Sequence, residues 1–281
     1  MLKYDLPHRV GGTMIHSAYQ YLYTSQMAEK PEWFHRTSLA EKLDEHAQSL
    51  HPSLRDKLIE MTYENLVAFQ AWLEEVGDHP TVFLEHEYKA RVGDIDPGGP
   101  WPEVDDELVT ARSDRTYRTE SGLWIMDYKS VGRSGCNRNG LLKTWDPRGK
   151  YALNWQSFIN LLVSRAAGFD TRGFVILRTT RQAPYDFDRK PLTIPSAPYK
   201  AAARVVRECV KHEHTLIKKL DEGGSPSPRF HACHNEYGAC DYLDICLAET
   251  EADQHRVVAE NFKQAPQDVI QRVRKSLRVI Q

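Results

Sequence analysis

No apolar run in this 281-residue chain approaches the roughly 20 residues that span a bilayer, so no membrane helix is expected. The opening residues, MLKYDLPHRVGG, have no apolar stretch of the secretory kind, and a cytoplasmic location follows as an expectation. An excess of one charge is also missing. A net charge of −2 argues against a protein that coats nucleic acid, but it leaves room for a local basic groove. Cysteine is scarce: five residues, an odd number, make a poor disulfide framework. There is no internal repeat and no low-complexity tract. There is no GxxxxGK[ST] loop, so this chain carries no ATP motor. Neither helix-turn-helix nor zinc-finger spacing occurs, so base-specific readout is not indicated.

What is present is ordinary globular composition, with 41% hydrophobic and 27% charged residues. The length fits one large domain, or one domain with an appended piece. Apolar residues at helical spacing predict helices over Met14–Ala28 (with Thr13 as N-cap), Leu39–Leu50 and Ser53–Val76. The pattern then alternates. Strands are predicted over Thr81–Val92, Leu108–Tyr117, Leu123–Val131 and Thr171–Thr179, with an edge strand over Tyr185–Ile194. Helices over Tyr151–Ala167 and Ala197–Leu220 complete the order. This order implies a mixed sheet flanked by helices, an α/β or α+β domain. The expected organisation is a core over 1–222, with a helical insertion at about 30–78, and a cysteine-rich segment with a helical tail over 223–281.

The strongest local signal is ARSDRTYRTESGLWIMDYKSVGR. Asp127 and Lys129 are two apart on one predicted strand, so they share a face. If the hairpin pairs as drawn, Asp114 on the preceding strand lies beside them. Two carboxylates and an ammonium on one point suit phosphodiester hydrolysis. A hard divalent cation takes oxygen ligands, lowers the pKa of a water and stabilises phosphate charge. A neighbouring lysine orients that water. A D-x-K triplet alone is common, and a surface hairpin of ordinary charges is the competing reading. The apolar lead-in through Ile125 and Met126 favours the site, because a charged pair ending an inner strand needs a partner or a job.

These residues resemble the PD-(D/E)XK nuclease superfamily, in particular its RecB-like branch of phage exonucleases and CRISPR-associated nucleases. Gly12-Thr13-Met14-Ile15-His16 resembles the GxxxH motif. Asp114 and Asp127-Tyr128-Lys129 resemble the two strand motifs, and Gln156 resembles the start of QxxxY. The resemblance implies a restriction-endonuclease-like core and a Mg²⁺- or Mn²⁺-dependent deoxyribonuclease, in a bacterial or phage-infected cell. It implies His16, Asp114, Asp127 and the Tyr128 carbonyl as metal ligands, Glu87 as an auxiliary carboxylate, Lys129 as catalytic lysine and Gln156 as a positioning group. A nitrogen ligand makes Mn²⁺ plausible. Two positions depart from the pattern. Ala111 stands where a glycine is usual, and Asn160 where the tyrosine is usual.

Cys233, Cys240 and Cys246 cluster near the C-terminus, and thiolates suit Fe–S clusters or zinc. In some relatives three C-terminal cysteines and one distant cysteine hold a [4Fe–4S] cluster. Here Cys136 is the candidate fourth ligand, and His231 or His234 would serve a zinc site instead. Three free buried cysteines remain the alternative, and Cys209 reads as a core residue. Arg112, Arg115, Arg133, Arg138 and Lys143, with Trp145 for stacking, are candidate DNA contacts; solvated strand ends are the competing reading. The expected partners are DNA and, separately, a helicase or a recombination or replication protein. A non-catalytic scaffold retaining the nuclease fold is the rival function. A zinc-dependent deaminase is a weaker one, because the PCxxC spacing is missing.

Overall fold

The computed structural model describes residues 7–28, 36–48, 50–144, 155–192, 196–222, 234–235 and 238–239. Helix α1 (Pro7–Met27) starts seven residues before the expected Met14. Proline suits a first helical turn, where its missing N–H has no partner to lose. Gly11 and Gly12 lie inside the helix despite their low propensity. At Gly12 the reason is contact. A Cβ there would sit 3.1 Å from Ser130 Oγ, so the glycine lets α1 approach the central sheet.

Helices α2 (Arg36–Ala47) and α3 (Pro52–Val76) follow. Helix α3 is delimited by a His51 N-cap, proline in its first turn, and Gly77 at φ 76° beyond its end. Five strands then form one sheet: β1 (Thr81–Arg91), β2 (Leu108–Thr119), β3 (Gly122–Val131), β4 (Thr171–Thr180) and β5 (Phe187–Leu192). Their spatial order is sequential. All neighbours are antiparallel except β3 and β4, which are parallel. Between those two strands the chain includes helix α5 (Trp155–Ala166), as a parallel pair requires a crossover. One helical turn, α4 (Val92–Ile95), follows β1.

Alternation along the strands gives two cores. Met126, Tyr128, Val175 and Leu177 pack with α1, α2 and α3 around Tyr19, Leu43 and Phe69. Ile125, Phe174 and Ile176 pack against Phe158, Leu161 and Leu162 of α5 and Ala202 and Val206 of α6 (Ser196–Asp221). The helices over 36–76 therefore form a full layer of the first core. A buried network ties that layer to the sheet: Tyr19 donates to Asn65 Oδ1 (2.8 Å), and Asn65 donates to Thr179 Oγ1 (2.9 Å).

The chain separates into two compact units, 1–207 and 208–281, and the division falls inside α6. Arg207 explains the position. Its wholly buried guanidinium reaches Asp96 Oδ2 (3.1 Å), Asp105 Oδ1 (2.5 Å) and the Asp96 carbonyl (2.6 Å). Beyond it, Glu208 and Cys209 are exposed, so Cys209 is not the core residue its mid-helix position suggests. In the second unit, His234–Asn235 pairs antiparallel with Gly238–Ala239. Cys233, Cys240, Cys246, His231 and the basic tail lie outside the described residues.

Candidate active site

Strand β2 changes its alternation in the middle. Ala111 belongs to the α5-side core and Tyr117 to the α1-side core, although both positions are odd. The side-chain phase has therefore slipped by one residue between them. Asp114 and Arg115 sit at this slip, Asp114 reaching His16 and Arg115 reaching Tyr23, both on α1. The β2–β3 ladder runs from the turn only as far as Arg115 opposite Met126. Past that point the Asp114 side chain replaces a ladder carbonyl: its Oδ2 accepts the Tyr128 backbone N–H at 2.7 Å. This bond brings β2's aspartate onto β3 beside Asp127.

Asp127 is buried and Lys129 partly exposed. Lys129 Nζ lies 2.6 Å from Asp127 Oδ2 and donates to Gln156 Oε1 at 3.0 Å. Gln156, in the first turn of α5, returns the contact by donating Nε2 to Asp127 Oδ1 at 2.8 Å. The three side chains close a ring. Asp127 Oδ2 is buried, and the group that faces it is the Lys129 ammonium. His16 projects from α1 with Nδ1 3.7 Å from Asp114 Oδ2, and its ring meets Tyr128 edge-on at 5.7 Å.

Electrostatics set the protonation states. Burial, then the Asp127 charge, pushes the Asp114 carboxyl up to about 7. Burial lowers His16 below its ordinary value, against the pull of Asp127. A neutral imidazole and a carboxyl ready to lose its proton are the forms that accept a cation.

Among the described residues, no three His, Cys, Asp or Glu side chains are gathered tightly enough to chelate an ion as they stand. The ring explains this, since Lys129 and Gln156 already cover both oxygens of Asp127. The donor set nonetheless fits a hard divalent cation. It offers two buried or half-buried carboxylates and one imidazole. His16, Asp114, Asp127 and the Tyr128 carbonyl could hold such an ion.

The other sequence candidates divide. Glu87 is exposed and pairs with Lys89 at 2.7 Å, away from the cluster. Glu85 is the glutamate of this strand that lies beside the cluster. The flanking pairs Leu84–Arg115 and His86–Ser113 put Glu85 opposite Asp114, and its charge acts on both Asp114 and His16. Glu85 adopts φ 47°, a left-handed conformation that costs a non-glycine residue about 1–3 kcal/mol and recurs at functional sites. No strand-parity rule distinguishes Glu85 from Glu87. The cross-strand register does, once the pairing is known.

Arg115 is not a surface DNA contact. Its side chain is 0% exposed and makes paired hydrogen bonds to Asp78 (3.0 and 3.1 Å). The guanidinium lies 3.8 Å over the Tyr23 ring. The slip in β2 turns it onto the α1 face. Arg112 is exposed but pairs with Glu85 at 3.0 Å. Lys143 donates to the Ser134 carbonyl at 2.7 Å and closes its own loop. Arg133 and Arg138 are exposed on that loop, and Cys136 is half-buried beneath it, with Sγ donating to the Gly132 carbonyl at 3.4 Å. Trp145 lies outside the described residues. Asn160, one turn after Gln156, is buried and donates to the Gln156 carbonyl at 3.1 Å, so it supports the helix instead of projecting as a tyrosine would.

No curated protein matches the chain. A family model described as the PD-(D/E)XK nuclease superfamily matches residues 2–247. The five-stranded mixed sheet with helices on both faces is the restriction-endonuclease-like core of that family. On that match, which spans most of the sequence, the chain belongs to the PD-(D/E)XK nuclease superfamily.

Proposed function

We propose that the protein is a Mg²⁺- or Mn²⁺-dependent deoxyribonuclease of the RecB-like branch, an exonuclease or single-strand-preferring enzyme acting in DNA replication, recombination or repair. The observation that carries this reading is the ring of Asp127, Lys129 and Gln156 beside Asp114 and His16. The divalent ion, when bound, supplies Lewis acidity toward water and the scissile phosphate. His16, Asp114, Asp127 and the Tyr128 carbonyl hold it, and Glu85 adds negative charge behind Asp114. Lys129 donates to the attacking water or a phosphate oxygen and offsets developing charge. Gln156 keeps that ammonium aimed. Water adds to phosphorus, the P–O3′ bond breaks, and the leaving oxygen takes a proton. The products carry a 5′-phosphate and a 3′-hydroxyl.

For Cys233, Cys240 and Cys246 the sequence supports a structural [4Fe–4S] cluster or zinc. Absorbance near 400 nm of anaerobically purified protein distinguishes the two. A separate helicase or recombination protein is the proposed partner.

One observation favours a second reading, a non-catalytic scaffold: both Asp127 oxygens are already covered. Degradation of linear and plasmid DNA with Mg²⁺ or Mn²⁺ decides between them. The nuclease reading expects wild type to degrade DNA and Lys129→Ala to leave it intact. Equal behaviour of the two proteins supports the scaffold.

A further inference from the structure

At the carboxyl ends of β3 and β4 a cavity of about 870 Å³ opens between α1, α3 and the loops after the two strands. Ligands of open α/β sheets bind beyond the carboxyl ends of parallel strands. The lining holds Arg133, Arg138 and Arg181, three side-chain amides and no carboxylate. Ile15, Leu58 and Met61 supply an apolar side.

The cavity is built by specific contacts. A Cβ on Gly132 would meet the Arg181 guanidinium at 2.9 Å, so this glycine makes room for the arginine. The Arg181 backbone N–H donates to the Val131 carbonyl at 3.0 Å, and Arg133 Nε donates to Gln182 Oε1 at 3.3 Å, which joins the two loops. Among the described residues, no ion pair involves Arg133 or Arg138. The cavity also adjoins the acidic cluster: Ile15 precedes His16 on α1, and Val131 lies just past Lys129 on β3.

We propose that this cavity receives the terminal nucleotide of a single strand. Its phosphomonoester meets Arg133, Arg138 and Arg181, and its base rests on Ile15, Leu58 and Met61. The choice of nucleic acid as ligand rests on the nuclease reading above. A strand end seated here leads the adjoining phosphodiesters past Lys129, which makes cleavage dependent on an end. The volume accommodates one nucleotide and its hydration, within the usual range of small-ligand pockets.

The test uses full-length Lys129→Ala protein and six-nucleotide oligothymidylate. The strand carries a phosphate on its 5′ end, on its 3′ end or on neither, with a fluorophore on the end opposite the phosphate. Fluorescence anisotropy reads binding. A phosphate at one of the two ends is expected to tighten binding about tenfold, as charge-assisted bonds to arginine do, and the end that responds gives the polarity. Adding Arg133→Ala and Arg138→Ala should reduce that preference to within about twofold. Both residues are exposed, so the fold should survive, and circular dichroism verifies it. As an independent reading, the phosphorylated strand should slow alkylation of Cys136 by N-ethylmaleimide, followed by peptide mass spectrometry. Equal binding of all three strands, or a preference that survives both substitutions, overturns the proposal. If wild type fails to cleave DNA while the preference persists, the nuclease reading falls and the pocket stands. If wild type cleaves circular and linear strands equally and no preference is seen, the pocket falls and the nuclease reading stands.

Discussion

Asp114 and Arg115 are neighbours in sequence, yet each joins a different cluster of charges. Arg115 enters a satisfied one. Asp78 accepts two of its hydrogen bonds, Thr81 and the His79 carbonyl accept others, and Tyr23 covers its face. Asp114 enters an unsatisfied one. There Asp127 pairs with the Lys129 ammonium and Glu85 with Arg112, while burial and the Asp127 charge push the Asp114 carboxyl up to about 7. The first arrangement balances charge and holds the sheet to its helices. The second keeps a buried Asp114 carboxyl beside a second carboxylate, so its ionised form disfavours the metal-free fold and favours a cation. Two adjacent residues thus separate a stabilising role from the binding role proposed for Asp114.

Breaking the satisfied cluster should have the largest effect. Arg115→Ala leaves Asp78 without its main partner and opens space beside Tyr23. A loss of about 3–5 kcal/mol in stability is expected from urea unfolding, as for other broken buried pairs. Any loss of activity should follow the unfolded fraction. Lys129→Ala should do the opposite. Single-turnover cleavage should fall by about 10²–10³-fold, equivalent to roughly 3–4 kcal/mol of barrier, far more than any rise in the unfolded fraction accounts for.

Asp114→Asn sharpens the comparison through pH. The folded-state pKa of Asp114 is raised to about 7 from 3.8. The folded protein therefore holds a proton that the unfolded chain has lost, and its stability falls as pH rises through that window. Without metal, Asp114→Asn should match wild type near pH 4 and melt higher at pH 8, by on the order of 5 °C. Mn²⁺ at pH 8 should raise the wild type and leave the variant unmoved. The smallest effect is expected at Glu85→Gln, about tenfold in Mn²⁺ affinity, the low end for a supporting carboxylate. Glu87→Gln should change nothing in the same titration.

The sequence made the sheet and the common face of Asp127 and Lys129 readable, because residues two apart on a strand share a face, as Met126 and Tyr128 do in one core while Ile125 enters the other. It also identified the hairpin that brings Asp114 near them. It could not reveal the slip in β2. That slip depends on which core each flanking residue enters, and it sends Arg115 inward. Glu85 and Glu87 share a parity, and only the register against β2 and the left-handed backbone at Glu85 separate them. Thr13 fits an N-cap and so predicts too short an α1, whereas the helix continues back to Pro7 with Gly12 serving the close approach to Ser130. Arg207 carried no local signal at all; its partners lie about a hundred residues earlier in the chain.

Mn²⁺ binding followed by electron paramagnetic resonance tests the central claim most directly. Wild type should immobilise about one Mn²⁺ per chain at neutral pH, and Asp114→Asn combined with Asp127→Asn should immobilise none while remaining folded. Equal Mn²⁺ uptake by the two proteins would contradict the assignment of these carboxylates as the cation site.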